Sequence, residues 1–217
     1  MSITGIKSKL KARVIEATVW IEGSGGQGVV VPGTFILTAT HCIKWNGQGA
    51  MALGDYFIED ITTKSGTKLR VRPFAADPVS DLAVLGPLDE QEFSHEYDAF
   101  EAWCNVTESV IVRTKTPRVG GLIPVHVLTH EGVWITGRVT CYGRGASGVM
   151  CIETDERIKG GTSGGPVVDS NGQLVGVVSH SGEPPEHGKS GGMLPIASLA
   201  LPVWVWLRIK KAQMEPT

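Results

Sequence analysis

Apolar residues along this chain recur in short runs, with the spacing of strands rather than of helices. Such runs cover residues 14–22, 28–31, 34–38, 68–74, 81–85, 109–113, 123–128, 132–141, 148–154, 166–169 and 173–179. Turn formers separate them at Gly25-Gly26, Pro32-Gly33, Asn46-Gly47 and Asn171-Gly172. Helical periodicity is almost absent before residue 200. The uncharged stretch 191–207 predicts a buried strand and then a C-terminal helix from about Pro202, with Arg208, Lys210 and Lys211 at its far end. It holds two prolines and falls short of the roughly 20 apolar residues a membrane span needs, so no membrane insertion is expected. From Asp89 to Glu108 there are seven acidic residues and no Lys or Arg, which reads as a solvated connection between an N-terminal half, 1–100, and a C-terminal half, 101–217. The pattern predicts an all-β protein of antiparallel barrels or sandwiches.

Composition narrows the function. Twenty Lys+Arg against 22 Asp+Glu leave a net charge of −2, too little basic excess for nucleic-acid binding through bulk electrostatics. Hydrophobic residues at 41% and charged residues at 19% suit a sizeable core and exclude a disordered chain. The 28 glycines among 217 residues are about twice the ordinary share. They suit tight turns and loops in which the backbone itself approaches a ligand. The first eleven residues alternate apolar and basic positions without an apolar core segment, so no secretory signal is read there and a cytoplasmic chain is expected. None of the four cysteines forms a C-x-x-C pair, so no metal site is expected. Cys141 and Cys151 flank a Gly-rich turn, where a hairpin would bring them face to face; they read as small buried hydrophobes.

Three stretches carry candidate chemistry. Ile36-Leu37-Thr38-Ala39-Thr40-His41-Cys42 is an apolar strand ending in a histidine, and Ser80-Asp81-Leu82-Ala83-Val84-Leu85 is an aspartate opening another. Gly160-Gly161-Thr162-Ser163-Gly164-Gly165-Pro166 sets a serine among glycines. A serine hydroxyl is a poor nucleophile at neutral pH and needs a base, which in turn needs an orienting acid. Glycines beside the serine allow a sharp turn that aims backbone N–H groups at a developing oxyanion, here those of Gly161 and Ser163. The G-x-S-x-G string also matches the nucleophile elbow of esterase-type α/β-hydrolases. Those place acid and histidine after the serine, whereas here the order is His, Asp, Ser, each on a β-rich run.

These residues resemble the chymotrypsin/trypsin-like serine proteases. Thr38-Ala39-Thr40-His41-Cys42 is similar to the family's T-A-A-H-C, Gly161-Thr162-Ser163-Gly164-Gly165-Pro166 to G-D-S-G-G-P, and Val177-Val178-Ser179 to the strand whose serine supports the catalytic aspartate. The stretch from Thr154 to Pro166 resembles the HtrA-type bacterial branch most closely, as do Gly23-Ser24-Gly25-Gly26-Gln27-Gly28-Val29-Val30 and the run from Ser80. A PDZ domain is not expected within the chain's 217 residues. The resemblance implies two antiparallel six-stranded β-barrels, His41 and Asp81 on the first and Ser163 on the second, with a C-terminal helix. It implies a serine endopeptidase with His41 as general base, Asp81 as its orienting acid and Ser163 as nucleophile. Its partner is a protein or peptide substrate, it needs no cofactor, and a monomer or weak oligomer is expected. A catalytically silent peptide-binding module on the same fold is the rival reading.

Departures from the family pattern refine the expectation. Thr162 stands where digestive members carry the aspartate that pairs with a freed N-terminus, and no activation site is evident, which implies activity without zymogen cleavage. Cys42 lacks its usual partner cysteine, so a thiol is expected beside the base. The family's substrate pocket maps onto Arg157, Ile158, Lys159, Gly160, Ser179, His180 and Ser181, with residues near Gly191-Gly192. No acid lies six residues before Ser163; Arg157 does, which disfavours Lys or Arg at P1. Either Arg157 or His180 favours an acidic P1, or Arg157 faces solvent and the pocket takes a small or aliphatic side chain. Residues 183–189 read as a mobile loop beside the pocket. The glycines of 23–28 are read as ordinary barrel punctuation.

Overall fold

A computed structural model describes residues 6–23, 25–44, 57–116, 124–142, 148–182 and 190–215. Six strands form a closed antiparallel barrel: β1 (Thr18–Ile21), β2 (Gly26–Val31), β3 (Phe35–Thr38), β4 (Glu59–Thr63), β5 (Lys68–Asp77) and β6 (Leu82–Gly86), in the order β1-β2-β3-β6-β5-β4, with β4 pairing back onto β1. β2, β3 and β6 are buried along their whole length, so they read as continuous apolar runs, whereas β4 alternates. Pro73 interrupts the pairing of β5 with β6, and the register shifts between Pro73 and Ala75. A proline cannot donate to the ladder, so a bulge is where a sheet tolerates it.

The second sheet holds seven strands: β7 (Pro124–Leu128), β8 (Trp134–Tyr142), β9 (Val149–Thr154), β10 (Pro166–Asp169), β11 (Leu174–Val177), β12 (His180–Gly182) and β13 (Ser190–Pro195), in the order β11-β10-β7-β8-β9-β13-β12. A bridge between Gly176 and Ile196 brings β11 against the end of β13, so six of these strands roll into a nearly closed second barrel and β12 extends it. A side chain at Gly176 would overlap the Pro195 carbonyl oxygen, so this seam requires glycine. The two-barrel architecture implied by the family resemblance is therefore present.

Several local expectations change. Residues 14–17 are not strand: helix α1 (Ser8–Glu16) occupies the N-terminal segment. Leu10 and Val14, one turn apart, pack on the core together with Ile6 just before the helix, a short stripe masked by the intervening basic residues. The acidic stretch from Asp89 to Glu108 contains helix α2 (Ser94–Val106), not merely a solvated linker. Phe100 anchors it in the core, and Glu96 reaches Arg70 of β5 at 3.1 Å. Residues 109–113 form no strand; Val112 makes one bridge to Leu174, and the Gln213 side chain accepts its N–H at 2.9 Å. Val110 donates to Val30 and Arg113 to Leu174, so this segment ties the two barrels together. Strand β4 was not foreseen. The Asn46-Gly47 turn, the tip between Cys141 and Cys151, and residues 183–189 lie outside the described residues.

After β13 come a short helix α3 (Ala197–Ala200) and the C-terminal helix α4 (Val203–Met214), which begins just after Pro202 as expected. Val205 and Ile209, one turn apart, are buried. Trp204 lies edge-on to Phe35 and the Arg208 guanidinium covers the same ring, so α4 packs back on the first barrel. No described helix is long and apolar enough to cross a membrane. Cys42, Cys104 and Cys151 are thiols, and Cys141 faces Cys151 across the β8–β9 ladder.

Candidate active site

His41 lies in a single 3-10 turn (Thr40–Cys42) that follows β3, and Asp81 lies immediately before β6. Because β3 and β6 are neighbours in the closed barrel, the ends of these two apolar strands arrive side by side. Thr40 N–H donates to the Asp81 carbonyl at 3.2 Å, and the Thr40 hydroxyl donates to the Asp77 carbonyl at 3.1 Å. Asp81 itself has φ of 60°, a left-handed conformation that an L-residue other than glycine seldom adopts and that Asp tolerates better than most. This bend turns the carboxylate toward the histidine. Asp77 supports the approach, accepting from Val79 N–H at 2.9 Å and from the Ser80 hydroxyl at 2.6 Å.

The carboxylate is engaged on three sides. Its Oδ1 accepts the His41 backbone N–H at 3.0 Å, and its Oδ2 lies 2.7 Å from His41 Nδ1. The Ser179 hydroxyl donates to Oδ2 at 2.6 Å. With a carboxylate at Nδ1, the imidazole holds its proton there and presents Nε2 as the lone-pair acceptor. The His41 side chain is 43% exposed and that of Asp81 17%, so the imidazole is open to solvent while the carboxylate is sheltered.

Ser163 comes from the second barrel, in the loop before β10. Its carbonyl accepts Gln27 N–H at 2.7 Å, and Gly164 N–H donates to Val178 at 2.7 Å. Gly161 and Gly164 have φ of 80° and 76°. Any side chain at Gly164 would also overlap the Gln27 carbonyl and the Thr38 hydroxyl, so the serine loop sits directly on the mouth of the first barrel. Among the described residues, the amides of Gly161 and Ser163 donate to no protein acceptor. No hydrogen bond joins Ser163 Oγ to His41 among these residues; such contacts are commonly loose in unliganded enzymes and tighten on substrate binding.

The reading of residues 23–28 as simple punctuation is corrected here. A Cβ at Gly26 would collide with Cys42 and come 3.2 Å from the Ser163 carbonyl, and Gln27 holds the serine loop directly. The backbone of β2 thus lies between the turn that bears the histidine and the loop that bears the serine. Gln27 and Thr38 were not singled out from sequence; a buried glutamine within an otherwise apolar strand was the available signal.

The pocket candidates separate into groups. Arg157 and Gly160 are exposed, and Lys159 pairs with Glu131 at 3.0 Å on the surface. Ile158 is buried, with its Cδ1 against Gly192 of β13. Ser179 is buried at the aspartate, and the exposed His180 ring stands edge-on to His41 with centroids 5.7 Å apart. The Ser181 side chain lies outside the described residues.

A two-barrel fold with His, Asp and Ser drawn to the seam between the barrels is the architecture of a chymotrypsin-like peptidase. Residues 26–177 match the trypsin-like peptidase domain family, and the chain belongs to that family. A probable periplasmic serine endoprotease DegP-like from Bartonella henselae is 29% identical over 163 residues, 75% of this chain. The chain spans 28% of that relative's length. Among solved structures, the serine endoprotease from Yersinia pestis superposes with a TM-score of 0.61 at 20% identity, covering 98% of this chain and 68% of that one. The HtrA-type protease AlgW with a decapeptide gives 0.54 at 22% identity, over 86% and 51% of the two chains. A serine-to-alanine mutant of Rv3671c from Mycobacterium tuberculosis H37Rv, in its inactive form, gives 0.56 at 16%, over 98% and 94%.

Proposed function

We propose that this chain is a serine endopeptidase in which His41, Asp81 and Ser163 form the catalytic triad, the residues 1–100 half supplying the first two and the residues 101–217 half the third. The observation that carries this reading is the 2.7 Å contact between Asp81 Oδ2 and His41 Nδ1, which leaves Nε2 as the basic nitrogen on the cleft side. Ser163 Oγ attacks the scissile carbonyl carbon while its proton passes to His41 Nε2. Asp81 stabilises the imidazolium, and the amides of Gly161 and Ser163 donate to the oxyanion. The C–N bond then breaks, His41 returns the proton to the departing amine, and an acyl-enzyme on Ser163 remains. Water, deprotonated by the same histidine, hydrolyses it.

Thr162 is fully buried and its hydroxyl has no partner among the described residues, so no ion pair to a freed N-terminus organises the oxyanion loop through this position. This supports activity without zymogen cleavage. Arg157 is exposed while Ile158 is buried against Gly192, which supports a pocket for small or aliphatic P1 side chains rather than an acidic or basic one.

Labelling with a fluorophosphonate probe tests the nucleophile. Serine-dependent labelling, lost in Ser163→Ala, is expected; folded protein that does not label would leave a silent peptide-binding module as the reading. Cleavage of a peptide library should show Ala, Val or similar residues at P1. A preference for Lys, Arg, Asp or Glu would overturn the pocket assignment.

A further inference from the structure

His180 stands beside the proposed triad without a part in it, and its position has a chemical consequence. Ligand atoms of His41, Asp81 and His180 all lie within 4.8 Å of one another. The arrangement centres on one carboxylate. Asp81 Oδ2 has His41 Nδ1 at 2.7 Å on one side and the Ser179 hydroxyl at 2.6 Å on the other. His180 Nδ1 follows 3.3 Å from that hydroxyl. Both imidazoles are exposed, so an ion reaches them from solvent without opening the barrels.

From this cluster we infer that the protein binds one borderline divalent transition-metal ion, of which Zn2+ is the type, across His41, Asp81 and His180, and that the ion switches the peptidase off reversibly. Two imidazoles and a carboxylate are a donor set that suits Zn2+, with the fourth tetrahedral position left to water. Mg2+ and Ca2+ prefer all-oxygen shells and are poorly served by it. Coordination at about 2.0–2.2 Å draws the three groups together. The exposed His180 side chain supplies that movement, and the Ser179 hydroxyl gives up its place on Asp81.

Loss of activity follows from either mode of binding. If His41 coordinates through Nδ1, the one proton of the neutral ring moves to Nε2, which then cannot accept from Ser163. If it coordinates through Nε2, the lone pair is consumed directly. The inhibitory half of this inference rests on the proposed serine-peptidase mechanism; the binding half does not.

The test separates them. Calorimetric titration of Zn2+ into the full chain carrying Ser163→Ala reads binding without catalysis. One saturable ion per chain is expected, weakened in the double variants Ser163→Ala/His180→Ala and Ser163→Ala/His180→Asn by more than the ~10- to 100-fold that outer-shell partners of a metal carry. No saturable binding, or equal binding with and without His180, overturns the site. In the otherwise unaltered chain, Zn2+ should block fluorophosphonate labelling and EDTA should restore it, with the Zn2+ effect reduced in His180→Ala relative to that variant's own labelling in EDTA. Labelling that ignores bound Zn2+ overturns the inhibition. Protein that fails to label even in EDTA removes the serine-peptidase reading, and the calorimetry still decides the metal site.

Discussion

Ser179, between β11 and β12 of the second barrel, donates its hydroxyl to Asp81 of the first barrel at 2.6 Å. This is a bond between the two halves made at the carboxylate that orients His41. Its acceptor is charged, and bonds of that kind contribute about 1.5–3 kcal/mol. Ser179→Ala should therefore lower peptidase kcat/KM by about 10- to 100-fold, since each 1.4 kcal/mol is tenfold. Steady-state kinetics on a peptide substrate, with thermal unfolding to confirm the fold, measures this. Unchanged kinetics would mean that the aspartate is held without it.

Asp81 should be replaceable by asparagine without loss of fold but not without loss of function. Its φ of 60° lies where Asn is among the better tolerated residues, whereas Ala adds strain. Asp81→Asn offers an amide in place of the acceptor of the His41 ring proton and favours the wrong tautomer, for which a drop in kcat of about 10⁴ is expected. Asp81→Ala should lose activity and also unfold at a lower temperature than Asp81→Asn.

Gly164→Ala tests the junction between the barrels. The added methyl overlaps the Gln27 carbonyl and the Thr38 hydroxyl at a φ of 76°. The left-handed conformation alone costs an alanine about 1–2 kcal/mol, and each kcal/mol lowers the melting temperature of a chain this size by about 2–4 °C. A fall beyond that range, together with loss of fluorophosphonate labelling, is the expected outcome. Gly160→Ala, at an exposed position with open space around a Cβ, serves as the control.

His126 predicts a pH dependence of stability. Burial on β7 lowers its pKa, Lys11 lowers it further, and Asp155 and Asp169 oppose the shift only in part. The folded state therefore keeps this ring neutral at a pH where the unfolded chain protonates it. The unfolded state binds more protons just below its pKa of about 6.5, so this contribution to stability falls as pH drops below that value. Thermal unfolding from pH 7.5 to 5 should show a decline that is shallower in His126→Gln. An identical slope in the variant would show that the titration lies elsewhere.

Much of this protein was legible along the chain. Short apolar runs broken by Gly, Pro and Asn predicted antiparallel barrels, because strand period and turn chemistry are local properties. Three short stretches named His41, Asp81 and Ser163, because a serine needs both an adjacent base and a flexible loop. The N-terminal helix was missed because its core-facing Leu10 and Val14 are set among basic residues. Helix α2 was missed because acidic residues outweigh its one core anchor, Phe100.

Other features depended on contacts between distant segments. The bond from Ser179 to Asp81 spans 98 positions, and the role of residues 26–27 comes from a serine loop more than 130 positions away. Whether Arg157 is buried or faces solvent was undecided by its spacing from Ser163; the structure leaves it exposed while the next side chain, Ile158, is buried against Gly192. The placement of His180 beside His41 and Asp81 likewise arises only when the two barrels come together. Residue types and their periods determined the strands and the chemistry available. Closure of two barrels against one another determined which of those groups stand within bonding distance, because distances between remote segments are set by packing and have no local signature in the chain.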